Sequence, residues 1–100
     1  MDPAIPNIYV SDVVVSTAGR DQGSLYYVIS TDEMFLMLVN GKDRTLDRPK
    51  RKKRRHVQKV LRSETRVAEK LLQGDKVLNG ELRRDLAYLA SEMQANNLGG

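Results

Sequence analysis

Two β-rich runs around a loop bounded by two glycines, Val13 to Ile29 (VVVSTAGRDQGSLYYVI), restrict the fold of this chain more than any other stretch. Val13, Val14 and Val15 enter the loop and Leu25 to Ile29 leave it, in residue types enriched in strands. Arg20, Asp21 and Gln22 lie between Gly19 and Gly23. Glycine adopts positive φ without steric cost and lets another backbone come close. Paired glycines between strands therefore predict a tight, shaped loop. Any small β-protein needs such corners, so the loop gains meaning from a second feature. In Arg48 to Arg55, RPKRKKRR, every residue except Pro49 is basic. The loop indicates how a partner is approached, and the basic run indicates what the partner is.

The charge is unevenly placed. Lys42 to Arg62 holds eleven Lys or Arg and two Asp, a net +9, whereas the rest of the chain is at −5. One cationic patch on a mildly acidic molecule is the footprint of a directed electrostatic partner. With 100 residues, the chain fits a single small domain and buries too little surface for a large internal active site. The absence of cysteine removes disulfides, thiolate zinc sites and cysteine nucleophiles, and the single histidine, His56, excludes a multi-histidine metal site. The N-terminus, MDPAIPNIYV, is acidic and proline-broken rather than basic and apolar, unlike a signal peptide. Met34 to Val39, the longest apolar run, is far too short to span a bilayer. The expectation is a soluble, cytoplasmic protein with no membrane partner.

Taken in order, residues 1–9 carry Pro3 and Pro6 without periodicity and read as a flexible arm. Val10 to Thr17 reads as a first strand and Ser24 to Ser30 as a second. In the second, Leu25, Tyr27 and Ile29 share one face and Tyr26 and Val28 the other. Thr31 to Glu33 forms a polar turn, and Met34 to Val39 a strand buried on both faces. Asn40-Gly41 is the strongest hairpin signal, with Arg44 to Leu46 pairing back as a fourth strand. Pro49 keeps the basic segment from being a central strand, leaving 48–55 as a basic loop. His56 to Val60 completes an expected small antiparallel barrel over 10–61. After Leu61 the period becomes helical. Ser63 is the expected N-cap of a helix carrying Val67, Ala68, Leu71 and Leu72, with Gly74 at its end. Asn79 opens a second helix whose stripe is Leu82, Leu86, Leu89 and Met93, with Asn96 through Gly100 fraying. Residues 62–100 thus form a helical extension available to cover the barrel.

These residues carry a resemblance. VVVSTAGRDQGSLYYVI resembles the KOW motif, a strand leading through a glycine-bounded loop into a second apolar strand. The pattern that follows, an apolar strand then LVNGKDRTLDRPKRKKRRHV, is similar to bacterial KOW-domain RNA-binding proteins and to large-subunit ribosomal proteins of archaea and eukaryotes. The likeness covers roughly Val10 to Val60. It implies a mainly β fold, an SH3-like antiparallel barrel followed by two helices, that binds RNA through loops at one end. Gly19, Arg20, Asp21 and Gly23 would then form the motif loop.

Each feature also has a plainer reading. The basic run neutralises phosphates, or is a solvated charged loop, or is a nuclear import signal of the same composition. The glycine loop is also a corner any barrel needs. Tyr26 and Tyr27 offer stacking surfaces, yet strand tyrosines are usually core or sheet cover. His56 reads as a packed residue or one touching a base or phosphate. Enzyme chemistry is hard to assemble. GRDQGS lacks the lysine of a phosphate-binding loop, no serine sits in a strained elbow, and Asp32-Glu33 lies in a turn. The expected function is a non-catalytic, ribosome-associated RNA-binding protein without a cofactor. Its RNA contacts would be Gly19, Arg20, Asp21, Gly23, Arg48, Lys50, Arg51, Lys52, Lys53, Arg54, Arg55 and His56. The partner would be ribosomal RNA, with a ribosomal protein possible through the helices. The competing expectation is a protein-interaction adaptor that uses the barrel or the helix stripe.

Overall fold

A computed structural model describes residues 7–99, with side chains as far as residue 95. It is a mixed α/β fold, a five-stranded antiparallel sheet followed by two helices, with more helix than the mainly β expectation. The strands are β1 (Asp12–Ser16), β2 (Leu25–Thr31), β3 (Phe35–Val39), β4 (Lys50–Lys53) and β5 (Val57–Arg62). They lie in the order β4-β3-β2-β1-β5. Helices α1 (Arg66–Gln73) and α2 (Asn79–Gly99) follow.

The sheet curls. Laid flat, its edges β4 and β5 would stand about 19 Å apart, four strand spacings. They are joined only by a 3-10 turn, Arg54–His56, which at roughly 2 Å per residue spans far less. Thr17 N–H bonds the His56 carbonyl at 2.9 Å, which extends the β1–β5 ladder into that turn. Two register shifts assist the bend, between Val13 and Val14 on β1 and between Val28 and Ser30 on β2. One core cluster therefore fills the concave face without any helix: Ile8, Val14, Tyr26, Val28, Leu36, Leu38 and Val57. The convex face presents Val13, Tyr27 and Val39, which pack beneath Val67, Ala68, Val77, Leu82, Leu86 and Leu89. The alternation expected along β2 thus separates two cores.

Several expectations are corrected. The basic segment is not a loop: Lys50–Lys53 is edge strand β4, paired with β3 through Leu36↔Lys52 and Leu38↔Lys50. Pro49 precedes the strand, where its missing N–H is harmless. Arg44 to Leu46 is not a strand. Leu46 turns toward the helices, its N–H held by the Asn79 side chain at 3.0 Å. Thr65, not Ser63, caps α1, accepting from Ala68 N–H at 3.2 Å, because β5 runs on to Arg62. Met34 to Val39 is buried on both faces only toward its end. Leu36, Leu38 and Val39 are buried, Phe35 and Met37 are half-buried, and Met34 is 62% exposed. Thr31 belongs to β2 rather than to a turn. Helix α2 runs through Gly99. Residues 1–6 of the expected arm, and Gly100, lie outside the described residues; the end of that arm is anchored, with Ile8 only 2% exposed.

Gly41 fixes how the sheet meets the helices. Its φ is +77°, and a Cβ there would fall 2.1 Å from the Asn79 carbonyl oxygen. Arg83 clamps the same turn by donating to the Gly41 carbonyl at 2.8 Å. The asparagine–glycine signal is real, but it opens a long connection to β4 rather than a two-residue hairpin.

Candidate functional site

The loop from Thr17 to Ser24 and strand β4 come together through one carboxylate. Asp21 accepts from Lys52 Nζ at 2.7 Å, Tyr26 Oη at 2.8 Å and Ser16 Oγ at 2.9 Å, and pairs with Lys50 Nζ at 3.1 Å. Lys52 Nζ also donates to the Ala18 carbonyl at 2.7 Å. Burial alone would raise the Asp21 carboxyl, yet hydrogen bonds from Lys52, Tyr26, Ser16 and Lys50 hold it well below the ordinary range. Gly19 and Gly23, at φ +89° and +92°, let the loop fold back far enough to present Asp21 to β4. Their adjoining turns close through Gln22 N–H to the Gly19 carbonyl at 3.2 Å and Gly23 N–H to the Ser16 carbonyl at 2.8 Å.

This divides the twelve sequence-derived site residues. Asp21, Lys50 and Lys52 face inward as one ion-paired cluster; Lys52 is 8% exposed. Gly19 and Gly23 shape the loop. Arg20, Arg48, Arg51 and Arg55 are exposed, Lys53 and Arg54 are half-buried, and His56 is half-buried with its carbonyl bound to Thr17. Arg54 Nε donates to the Asp32 carbonyl at 2.7 Å. Among the described residues, Arg20, Arg48, Arg51, Lys53, Arg54 and Arg55 make no ion pair. Two further cations of the basic region are withdrawn by Asp12, which is fully buried and pairs with Lys59 at 3.1 Å and Arg62 at 2.9 Å. The outcome is a rim of cations without ion pairs along the β4 edge. There the Asp32 carboxylate is held below its ordinary range, first by the hydrogen bonds it accepts from Phe35 and Met34 N–H and then by the nearby charges of Arg51 and Arg54.

Sequence reasoning missed Phe35. The register places Arg51 and Lys53 on the convex face of β4, beside Met37 and Phe35, and the Arg51 guanidinium carbon lies 3.6 Å from the Phe35 ring centre. Alternation along MFLMLV held the signal, since Phe35 shares the parity of Met37 and Val39. What the sequence could not show is that the helices cover only the Val39 end of that face.

Among the described residues, no group of three His, Cys, Asp or Glu side chains lies close enough to hold a metal ion, and no helix is long and apolar enough to cross a membrane. Compared with models of protein families, the sequence matches none. A comparison with curated proteins returns no match.

Proposed function

We propose that the chain is a non-catalytic RNA-binding module of the KOW type, an SH3-like barrel that docks on the sugar-phosphate backbone of ribosomal RNA in the cytoplasm. One observation carries this reading. Four cations of the basic region are paired with Asp21 and Asp12, while Arg48, Arg51, Lys53, Arg54 and Arg55 stay along the β4 edge without an ion pair among the described residues. Such like charges repel one another unless a polyanion meets them. A-form RNA, recognised largely by its backbone and shape, is such a polyanion. The curl that draws β4 toward β5 supports the barrel reading. The anchored loop supports a rigid approach in which Arg20 and the β4 cations meet one surface together.

The adaptor alternative used the barrel or the α2 stripe, and of that stripe Leu82, Leu86 and Leu89 are buried against the sheet and so are not free to dock a partner. The test is sedimentation of the tagged chain through sucrose gradients, with sequencing of ultraviolet-crosslinked RNA. Co-sedimentation with ribosomal particles at low salt, release at high salt and crosslinks clustered in ribosomal RNA are expected. A chain that stays at the top of the gradient without crosslinked RNA would contradict the proposal.

A further inference from the structure

The stack of Arg51 on Phe35 lies on the convex surface of the sheet, at the end the helices leave bare. A separation of 3.6 Å between guanidinium carbon and ring centre is van der Waals contact. Only a guanidinium lying flat on the ring fits it, since an N–H aimed at the ring would hold the carbon farther out. One face of the cation is therefore set on Phe35, and the other meets solvent, because Arg51 is exposed. Half-buried Met37, the cross-strand partner of Arg51, shares that face of the sheet. Lys53 stands on the same face of β4, two residues and about 6.7 Å along the strand.

We propose that the Arg51–Phe35 stack is a seat for an unpaired nucleobase. The base lies on the free face of the guanidinium, and Lys53 and Arg55 neutralise flanking phosphates. This rests on the RNA-binding reading above and narrows its substrate to structured RNA that presents an unpaired base. The chemistry fits the geometry. A guanidinium is planar, weakly hydrated and stacks readily, and RNA readout places splayed bases on such planes. Phe35 holds the plane in place beforehand, so little freedom is lost on binding. A base inside a duplex cannot reach the seat, because both its faces are already stacked. The in-plane N–H groups of Arg51 remain free for a phosphate, so stacking and charge neutralisation do not compete.

The experiment uses the full chain and two RNA hairpins of the same stem, one fully paired and one with a single bulged 2-aminopurine. Wild type is expected to bind the bulged hairpin about tenfold more tightly and to change the 2-aminopurine emission. Arg51→Lys keeps the charge and removes the plane. It should reduce that preference to within about twofold, with affinity for the bulged hairpin falling by a larger factor than affinity for the paired one. Phe35→Leu removes the platform beneath the cation and should also reduce the preference, with circular dichroism reporting the native fold. Equal wild-type affinity for the two hairpins, or a tenfold preference that survives Arg51→Lys, overturns the seat and leaves the RNA reading standing. Binding of neither hairpin overturns both.

Discussion

Tyr26 and Tyr27 are neighbours in sequence, point to opposite faces of β2, and each gives its hydroxyl to an aspartate. The two sites use one device for different ends. On the convex side Tyr27 meets Asp85 of α2 and also Ser63 Oγ at 2.8 Å, while Thr65 Oγ1 donates to Asp85 at 2.8 Å. That network of uncharged hydroxyls around one carboxylate fastens the sheet to both helices. On the concave side Tyr26 meets Asp21, whose other partners include two lysines of the basic strand. There the carboxylate fastens a loop to β4 and removes two cations from the surface. The convex site holds the fold together; the concave site determines which charges remain available.

The largest expected effects fall on the convex side. Gly41→Ala places a methyl group against the Asn79 carbonyl and forces the start of α2 to move. It should cost about 4 kcal/mol or prevent folding, measured by urea denaturation. Leu86→Ala empties a site in the same core and should cost roughly 2–4 kcal/mol. A change below about 0.5 kcal/mol, typical of surface positions, would mean that α2 does not cover the sheet. Removing each tyrosine hydroxyl sharpens the contrast. Tyr27→Phe takes a main donor from Asp85 and should cost about 2 kcal/mol. Tyr26→Phe leaves Asp21 with Lys50, Lys52 and Ser16, and about 1 kcal/mol or less is expected. Equal losses would erase the distinction.

The smallest effects are in pH. Asp21 is depressed in the folded state, so its stabilisation is complete above the unfolded carboxylate value of about 4 and is lost as pH falls below it. Asp21→Asn should flatten the acid limb of a stability–pH curve. The tyrosines act in the opposite direction. Burial first, then hydrogen bonding to Asp21 or Asp85, pushes each hydroxyl up to about 12. Their stabilisation is complete below the unfolded tyrosine value of about 10 and is lost as pH rises from there through the folded value. Each Tyr→Phe variant should therefore lose less stability than wild type above pH about 10.

Much of this fold is legible in local pattern. Alternation in LYYVI separates Tyr26 from Tyr27, and the period of α2 puts Leu82, Leu86 and Leu89 on its buried side. The glycines of the motif loop mark two positive-φ positions. What is not legible depends on partners distant in sequence. RPKRKKRR reads as a uniform cationic loop because nothing within it reveals that Asp21, about thirty residues earlier, pairs with Lys50 and Lys52. Its strand character follows from that pairing and from the ladder to β3. Ser63 looks like a cap by type, but its hydroxyl lies beneath Tyr27. Phe35 resembles its core neighbours in composition and differs from them only by lying beyond the reach of the helices.

The central claim is that the cations no aspartate holds are the ones that meet phosphate. Filter binding of a structured RNA across a salt series tests it most directly. Five exposed or half-exposed cations, Arg20, Arg48, Arg51, Lys53 and Arg55, give an expected log–log slope of about −4 for wild type. The triple variant Arg48→Gln, Lys53→Gln, Arg55→Gln should make that slope shallower by about 2 and weaken binding to every RNA similarly. Lys70→Gln, which removes a cation already paired with Glu81 at 3.1 Å, should leave the slope unchanged. A triple variant that binds as tightly as wild type with the same slope would contradict the account.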